Sequence, residues 1–199
     1  MDYDPSKLSN SAAYALMIRA ITPRPIAWVS TLSPSGVPNL APFSYFAGVG
    51  SNPPTLMISI ANRPSGEKKD TLRNIEATGE FVVNIVPHEL AQPMVRSADE
   101  LPYETSEFLH AGLETSPSRL VRPLRVAAAP IHLECRSLEI VRVGSGGSAA
   151  NAVFGQIVWF HVVDHVLNAE QKIDPAEVDS IGRLGGLSYC RTSDRFELK

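Results

Sequence analysis

Ile26-Ala27-Trp28-Val29-Ser30-Thr31, Ser33-Pro34-Ser35-Gly36 and Asn39-Leu40-Ala41-Pro42-Phe43-Ser44-Tyr45-Phe46-Ala47 read in order as strand, turn and strand. The first run is β-branched and aromatic, the second is made of turn formers, and an antiparallel hairpin is the simplest arrangement of the pair. Working outward, 54–61 reads as a third strand. Upstream, Ser9 or Asn10 caps a helix running to about Arg19, with Tyr14, Met17 and Ile18 at helical spacing. Downstream, Asn62-Arg63-Pro64-Ser65-Gly66 breaks the pattern before a helix that starts near Asp70, buries Leu72 and Ile75, and stops at Gly79. In 80–86, Phe81, Val83 and Ile85 alternate as in a strand. A weaker helix covers 88–96, and 97–125 reads as a Pro-, Ser- and Glu-rich excursion with one helical turn around 107–110. Two long β segments, 131–143 and 153–166, pair as a second hairpin across the Gly/Ser loop 144–151. A short helix near 175–179 and short strands at 187–191 and 196–198 complete the reading. Strands at both ends with helices inserted between them give a mainly β fold, an antiparallel barrel rather than a doubly wound parallel sheet. No G-x-G-x-x-G follows a strand, so a dinucleotide-binding Rossmann unit is not expected.

The 199 residues, 44% hydrophobic and 20% charged, suit a single domain over 1–199 with a sizeable core. A net charge of -3 with scattered basic residues gives no reason to expect a nucleic-acid partner. No window approaches the roughly 20 apolar residues of a membrane span. The opening Met1-Asp2-Tyr3-Asp4-Pro5 is acidic where a secretory signal would be basic and then apolar. Cys135 and Cys190 fit two reduced thiols in a cytoplasmic protein. No metal site is expected. His161 and His165 would lie about 13 Å apart along a strand, and His88, His110 and His132 have no partner at ligand spacing. Nor is there a nucleophile elbow or a cysteine with a local histidine, so no catalytic side chain stands out.

Two segments could receive a ligand. The first lies along the hairpin. Ser30 and Thr31 end the first strand with two hydroxyls, either solvated or turned to a ligand. Pro42 lacks an N–H and fits an edge or a bulge, leaving nearby backbone free to meet a heteroaromatic edge. Phe43, Tyr45 and Phe46 are either core or pocket; in a continuous strand, Phe43 and Tyr45 face one way and Phe46 the other. The second segment, Asn62 to Thr71, joins a Gly/Ser loop, cationic side chains and a helix N-terminus. That combination binds phosphate through backbone donors and the helix dipole. Asp70 opposes an anion there, unless it is the N-cap, and capping alone is the plainer reading of the segment.

Thr22-Pro23-Arg24-Pro25-Ile26-Ala27-Trp28-Val29-Ser30-Thr31, the run Asn39 to Phe46, Lys69-Asp70-Thr71-Leu72-Arg73-Asn74-Ile75 and Glu80-Phe81-Val82-Val83-Asn84-Ile85-Val86 together resemble the flavin reductase-like family. Arg183-Leu184-Gly185-Gly186-Leu187-Ser188-Tyr189 is similar to that family's C-terminal signature. The resemblance implies an FMN-binding split β-barrel of Greek-key antiparallel topology, forming a homodimer with the flavin near the subunit interface. It implies that Trp28, Ser30, Thr31, Asn39, Ala41, Pro42, Phe43, Ser44 and Phe46 approach the flavin. Asn62, Arg63, Lys69 and Thr71 would surround the phosphate, and Arg183, Gly186 and Tyr189 would contribute from the C-terminal part. It further implies hydride transfer from NAD(P)H to flavin, with reduced flavin passing to a partner monooxygenase. The alternative is a flavoredoxin-like electron carrier serving redox protein partners. One phosphate-like segment favours FMN over FAD. Segments 97–125 and 144–152 carry little of the resemblance.

Overall fold

A computed structural model describes residues 1–198. The strands are β1 (Arg24–Pro25), β2 (Ala27–Leu32), β3 (Pro38–Phe43), β4 (Phe46–Ser51), β5 (Pro54–Ala61), β6 (Glu80–Ile85), β7 (Thr115–Ser116), β8 (Arg125–Val126), β9 (Ile131–Val143), β10 (Ala150–Val162), β11 (Ile181–Arg183) and β12 (Tyr189–Arg191). The helices are α1 (Asn10–Ala20), α2 (Asp70–Thr78), α3 (Ala91–Arg96), α4 (Glu107–Ala111) and α5 (Pro175–Val178). Seven strands form one antiparallel sheet in the order β3-β2-β6-β9-β10-β5-β4.

The expected single strand over 39–47 is in fact two, and this correction explains the architecture. β3 ends at Phe43, β4 begins at Phe46, and the two lie on opposite edges of the sheet. Three residue steps reach no more than about 10 Å. The edges must therefore meet, and the sheet rolls into a barrel left unpaired along one seam. At the seam, Tyr45 O accepts the Ser59 N–H at 2.8 Å, tying the link to β5. Periodicity alone could not show this break, because apolar residues continue through it.

Rolling the sheet buries both faces of β2. Ala27 and Val29 join Phe43, Ile58, Leu72, Ile75, Phe81 and Val153 inside the barrel. Trp28 points outward with Leu40 into a second core closed by Met94 and Phe108. The excursion thus becomes an outer layer over β2 and β3. Helix α2 plugs one mouth of the barrel through Leu72 and Ile75, and Gly79 ends it in the left-handed region at φ 69°.

Several smaller expectations change. Residues 196–198 form no strand, and Phe196 and Leu198 are exposed. The short C-terminal strand is β12 alone, within a three-stranded sheet β1-β11-β12. The second strand of the long hairpin runs from Ala150 to Val162, not 153 to 166, and a 3-10 turn follows at Asp164–Val166. The helix expected over 88–96 is a 3-10 turn at His88–Leu90 followed by α3. His132, which has no partner at ligand spacing along the chain, meets His161 across β9 and β10 at 3.1 Å between Nδ1 atoms. Burial, the largest cause, holds the His132 pKa down at about 4, so the ring is neutral near pH 7. No helix among the described residues is long and apolar enough to cross a membrane.

Candidate functional site

The N-terminus of α2 faces the outer edge of β3. Its N-cap is Lys69, not Asp70, and no side chain caps it. By contrast, Ser9 caps α1 and Asp174 caps α5. The first N–H groups of α2 therefore keep their pull on an anion. Asp70 lines the recess, where its carboxylate is bound by Arg63 at 2.7 Å and Arg73 at 3.2 Å. These two ion pairs offset its repulsion of a phosphate. Lys69 makes no ion pair among the described residues, and its ammonium lies 5.8 Å from the Phe43 ring centroid. Burial, and then the neighbouring Arg63, hold its pKa below the ordinary lysine value.

Behind these groups runs a buried polar network. Asn39 Nδ2 donates to Thr31 Oγ1 at 3.2 Å and to Thr71 Oγ1 at 3.1 Å. Asn74 Nδ2 donates to Thr31 Oγ1 at 3.0 Å, while its carbonyl oxygen accepts the Tyr103 hydroxyl at 2.7 Å. These bonds lock the β2–β3 hairpin to the first turn of α2. An inner recess of about 100 Å³ results, with Asn39, Ala41, Pro42, Phe43, Lys69 and Thr71 among its walls. It continues into an outer basin of about 840 Å³ over Arg63, Lys68 and Arg73.

Both segments that carried little sequence signal come to this site. Residues 97–101 and Glu107 also line the recess. Glu107 is 8% exposed, and its Oε2 accepts the Leu40 N–H of edge strand β3 at 3.0 Å. Since Pro42 has no N–H, this bond fixes the edge where the strand would otherwise be open. Burial, the largest cause, raises the Glu107 pKa. Replacing Glu107 with alanine strands a buried donor and is expected to cost about 1–3 kcal/mol. Glutamine keeps an acceptor and should be tolerated. The folded pKa lies above the unfolded one, so the carboxyl's contribution is full below the unfolded value and is lost as pH rises through the folded value. Urea unfolding from pH 4 to 8 should therefore show wild type losing stability relative to Glu107→Gln as pH rises.

The Gly/Ser loop supports the phosphate-like segment from beneath. Asn62 Nδ2 donates to Gly66 O at 3.0 Å and Gly146 O at 3.3 Å, and Asn62 Oδ1 accepts from Asn151 at 2.9 Å. A Cβ on Gly147 would sit 2.4 Å from Pro64 O, so only glycine permits this approach. The Asn62 amide is thus engaged in shaping the loop.

Of the other residues singled out in the sequence, Ala41, Pro42, Phe43, Arg63, Lys69 and Thr71 gather at the recess. Trp28 is fully buried, and its indole N–H donates to Ser97 Oγ at 2.8 Å. Ser30 is fully buried and bonds to Leu124 O. Ser44 accepts from Arg24 Nε at 3.3 Å, and Phe46 packs on the barrel core. Arg183, Gly186 and Tyr189 contact one another but do not line the recess. Glu107, Asn74 and Gly147 went unnoticed in the sequence because each acts through partners far along the chain. No group of three or more His, Cys, Asp or Glu among the described residues could hold a metal.

The seamed antiparallel barrel, with a polar recess carrying Arg63 and Lys69 at one mouth, is the split-barrel fold that the resemblance implies. The flavin reductase like domain model matches residues 18–191, and the chain belongs to that family. Among solved structures, it is similar to nitrilotriacetate monooxygenase component B from Bacillus cereus, with a TM-score of 0.94 and 32% identity, covering 100% of this chain and 98% of that one. It is also similar to the 2-nitrobenzoate 2-nitroreductase NbaA of Pseudomonas fluorescens, with a TM-score of 0.90 and 33% identity, covering 100% and 95%. A chain with a split barrel domain from Shewanella frigidimarina shares the fold at a TM-score of 0.85 and 20% identity, covering 100% and 98%. Flavin-related oxidoreductase chemistry follows from this membership.

Proposed function

We propose that the recess binds FMN and that the protein transfers hydride from NAD(P)H to flavin, supplying reduced flavin to a partner monooxygenase. The observation carrying this reading is the uncapped start of α2, with Lys69 in no ion pair among the described residues and Asp70 already held by two arginines. One anion anchor suits the single phosphate of FMN better than FAD. Similarity to a monooxygenase component B supports the partner.

A bound flavin supplies the redox chemistry itself, accepting two electrons and a proton as hydride. The chain has four tasks. Lys69, Arg63 and the first turn of α2 hold the anionic tail. The edge at Ala41, Pro42 and Phe43 walls the ring, and Glu107 keeps that edge in register. Residues 97–101 limit water on one side, while the open basin gives the coenzyme its way in. No side-chain base is needed, in keeping with the absence of a catalytic constellation in the sequence.

The protein acts as a cytoplasmic homodimer in this reading. The exposed apolar residues Tyr14, Met17 and Ile21 of α1 and its C-cap support a second copy there. So does the position of Arg183 and Tyr189 away from the recess of their own chain.

Steady-state NADH and NADPH oxidation, with and without added FMN, tests the proposal. Oxidation that depends on flavin and rises with free FMN is expected. Tight FMN retention with slow oxidation would instead identify an electron carrier. An absence of flavin-dependent oxidation would remove the reductase reading.

A further inference from the structure

The basin beside the recess is far larger than one phosphate requires. Its volume of about 840 Å³ falls within the roughly 300–1,000 Å³ typical of small-ligand pockets. It shares Arg63, Asp70, Glu100 and Leu101 with the recess, so the two are continuous.

The basin also contains a fixed aromatic platform. The Arg73 guanidinium carbon lies 3.9 Å from the Tyr103 ring centroid. Both partners are pinned. The Tyr103 hydroxyl donates to Asn74 Oδ1 at 2.7 Å, and Asn74 is fully buried. Arg73 donates to Asp70 Oδ1 at 3.2 Å. A guanidinium stacked on an immobilised phenol offers a flat, polarisable surface suited to a heteroaromatic base. Around it stand groups of two kinds. Lys68, paired with Glu76 at 2.7 Å, and Ser65, which donates to Glu67 at 3.2 Å, stand where a phosphate would lie. The carboxylates of Glu67 and Glu100, the latter 3.6 Å from Arg63, can accept ribose hydroxyls.

We propose that the basin is an adenylate subsite, taking the adenine, ribose and phosphate half of a dinucleotide whose other half enters the recess. This deepens the flavin reading and rests on it for the position of that other half. With FMN in the recess, the adenylate is that of the nicotinamide coenzyme; FAD carries the same group, and the Arg73→Ala variant separates the two sources.

The direct probe is 5′-AMP, titrated calorimetrically into the full-length protein. Wild type should bind it, and Arg73→Ala and Tyr103→Ala should each weaken binding about fivefold or more, the scale of one lost base stack. Tyr103→Phe, which keeps the ring, should bind more tightly than Tyr103→Ala. In Arg73→Ala, a rise in the ratio of FAD to FMN dissociation constants would assign the adenylate to FAD. A rise in the NADH KM without that change would assign it to the nicotinamide coenzyme. AMP affinity indifferent to Arg73 and Tyr103, or no AMP binding at millimolar concentration, would overturn the subsite. Residue-dependent AMP binding by a protein that takes up no flavin would support the subsite while removing the flavin reading.

Discussion

Replacing Glu134 with alanine is expected to lower folding stability by about 3–5 kcal/mol, the cost of breaking a buried charge pair from one side. Glu134 is fully buried on β9. It accepts the Arg119 N–H at 2.8 Å, the Leu120 N–H at 2.7 Å and Arg125 Nε at 3.1 Å. Arg125 itself is 7% exposed, so alanine would leave a buried guanidinium and two backbone donors unsatisfied. Burial alone pushes the Glu134 carboxyl upward. The Arg119 N–H, the Arg125 side chain and the Leu120 N–H outweigh it, and the pKa lies below the ordinary glutamate value. A depressed folded pKa contributes stability above the unfolded value and loses it as pH falls through the folded one. Urea unfolding should show a large loss for Glu134→Ala at pH 7, and wild type should converge towards Glu134→Gln in acid. A loss under about 1 kcal/mol for Glu134→Ala would show that the 119–126 segment finds another anchor.

Lys69→Ala is expected to weaken FMN by about tenfold to a hundredfold while changing riboflavin little, as one charge-assisted contact of about 1.5–3 kcal/mol implies. The contrast between the two ligands isolates the phosphate, because they share the ring. Lys69 caps α2 by position only, with no side-chain bond, so the fold should tolerate the change. Raising ionic strength should narrow the contrast in wild type. Equal loss for both ligands would move the phosphate away from this helix.

Much of the fold was legible because its strands are long and strongly patterned. The 131–143 strand has the observed bounds, and α2 was found from Leu72, Ile75 and the Gly79 stop. The seam at Ser44-Tyr45 was not legible, because it depends on which strands pair and not on local periodicity. Of the residues named as ligand candidates, those contributed by one short segment gather at the recess: Ala41, Pro42 and Phe43 along β3, and Arg63, Lys69 and Thr71 at α2. Groups that act through distant partners were not legible. Glu107 gains its role only when α4 folds over Leu40, and Gly147 only when its loop meets Pro64. Trp28 was placed near the flavin by the family resemblance alone, and its ring lies in the outer core.

The most direct test is a structure of the protein solved with FMN. The phosphate should lie at the first turn of α2, within hydrogen-bond reach of Lys69 Nζ and the free N–H groups, with the ring along Ala41, Pro42 and Phe43. FMN bound with its phosphate at any other part of the chain, or a recess that stays shut at saturating FMN, would contradict the account.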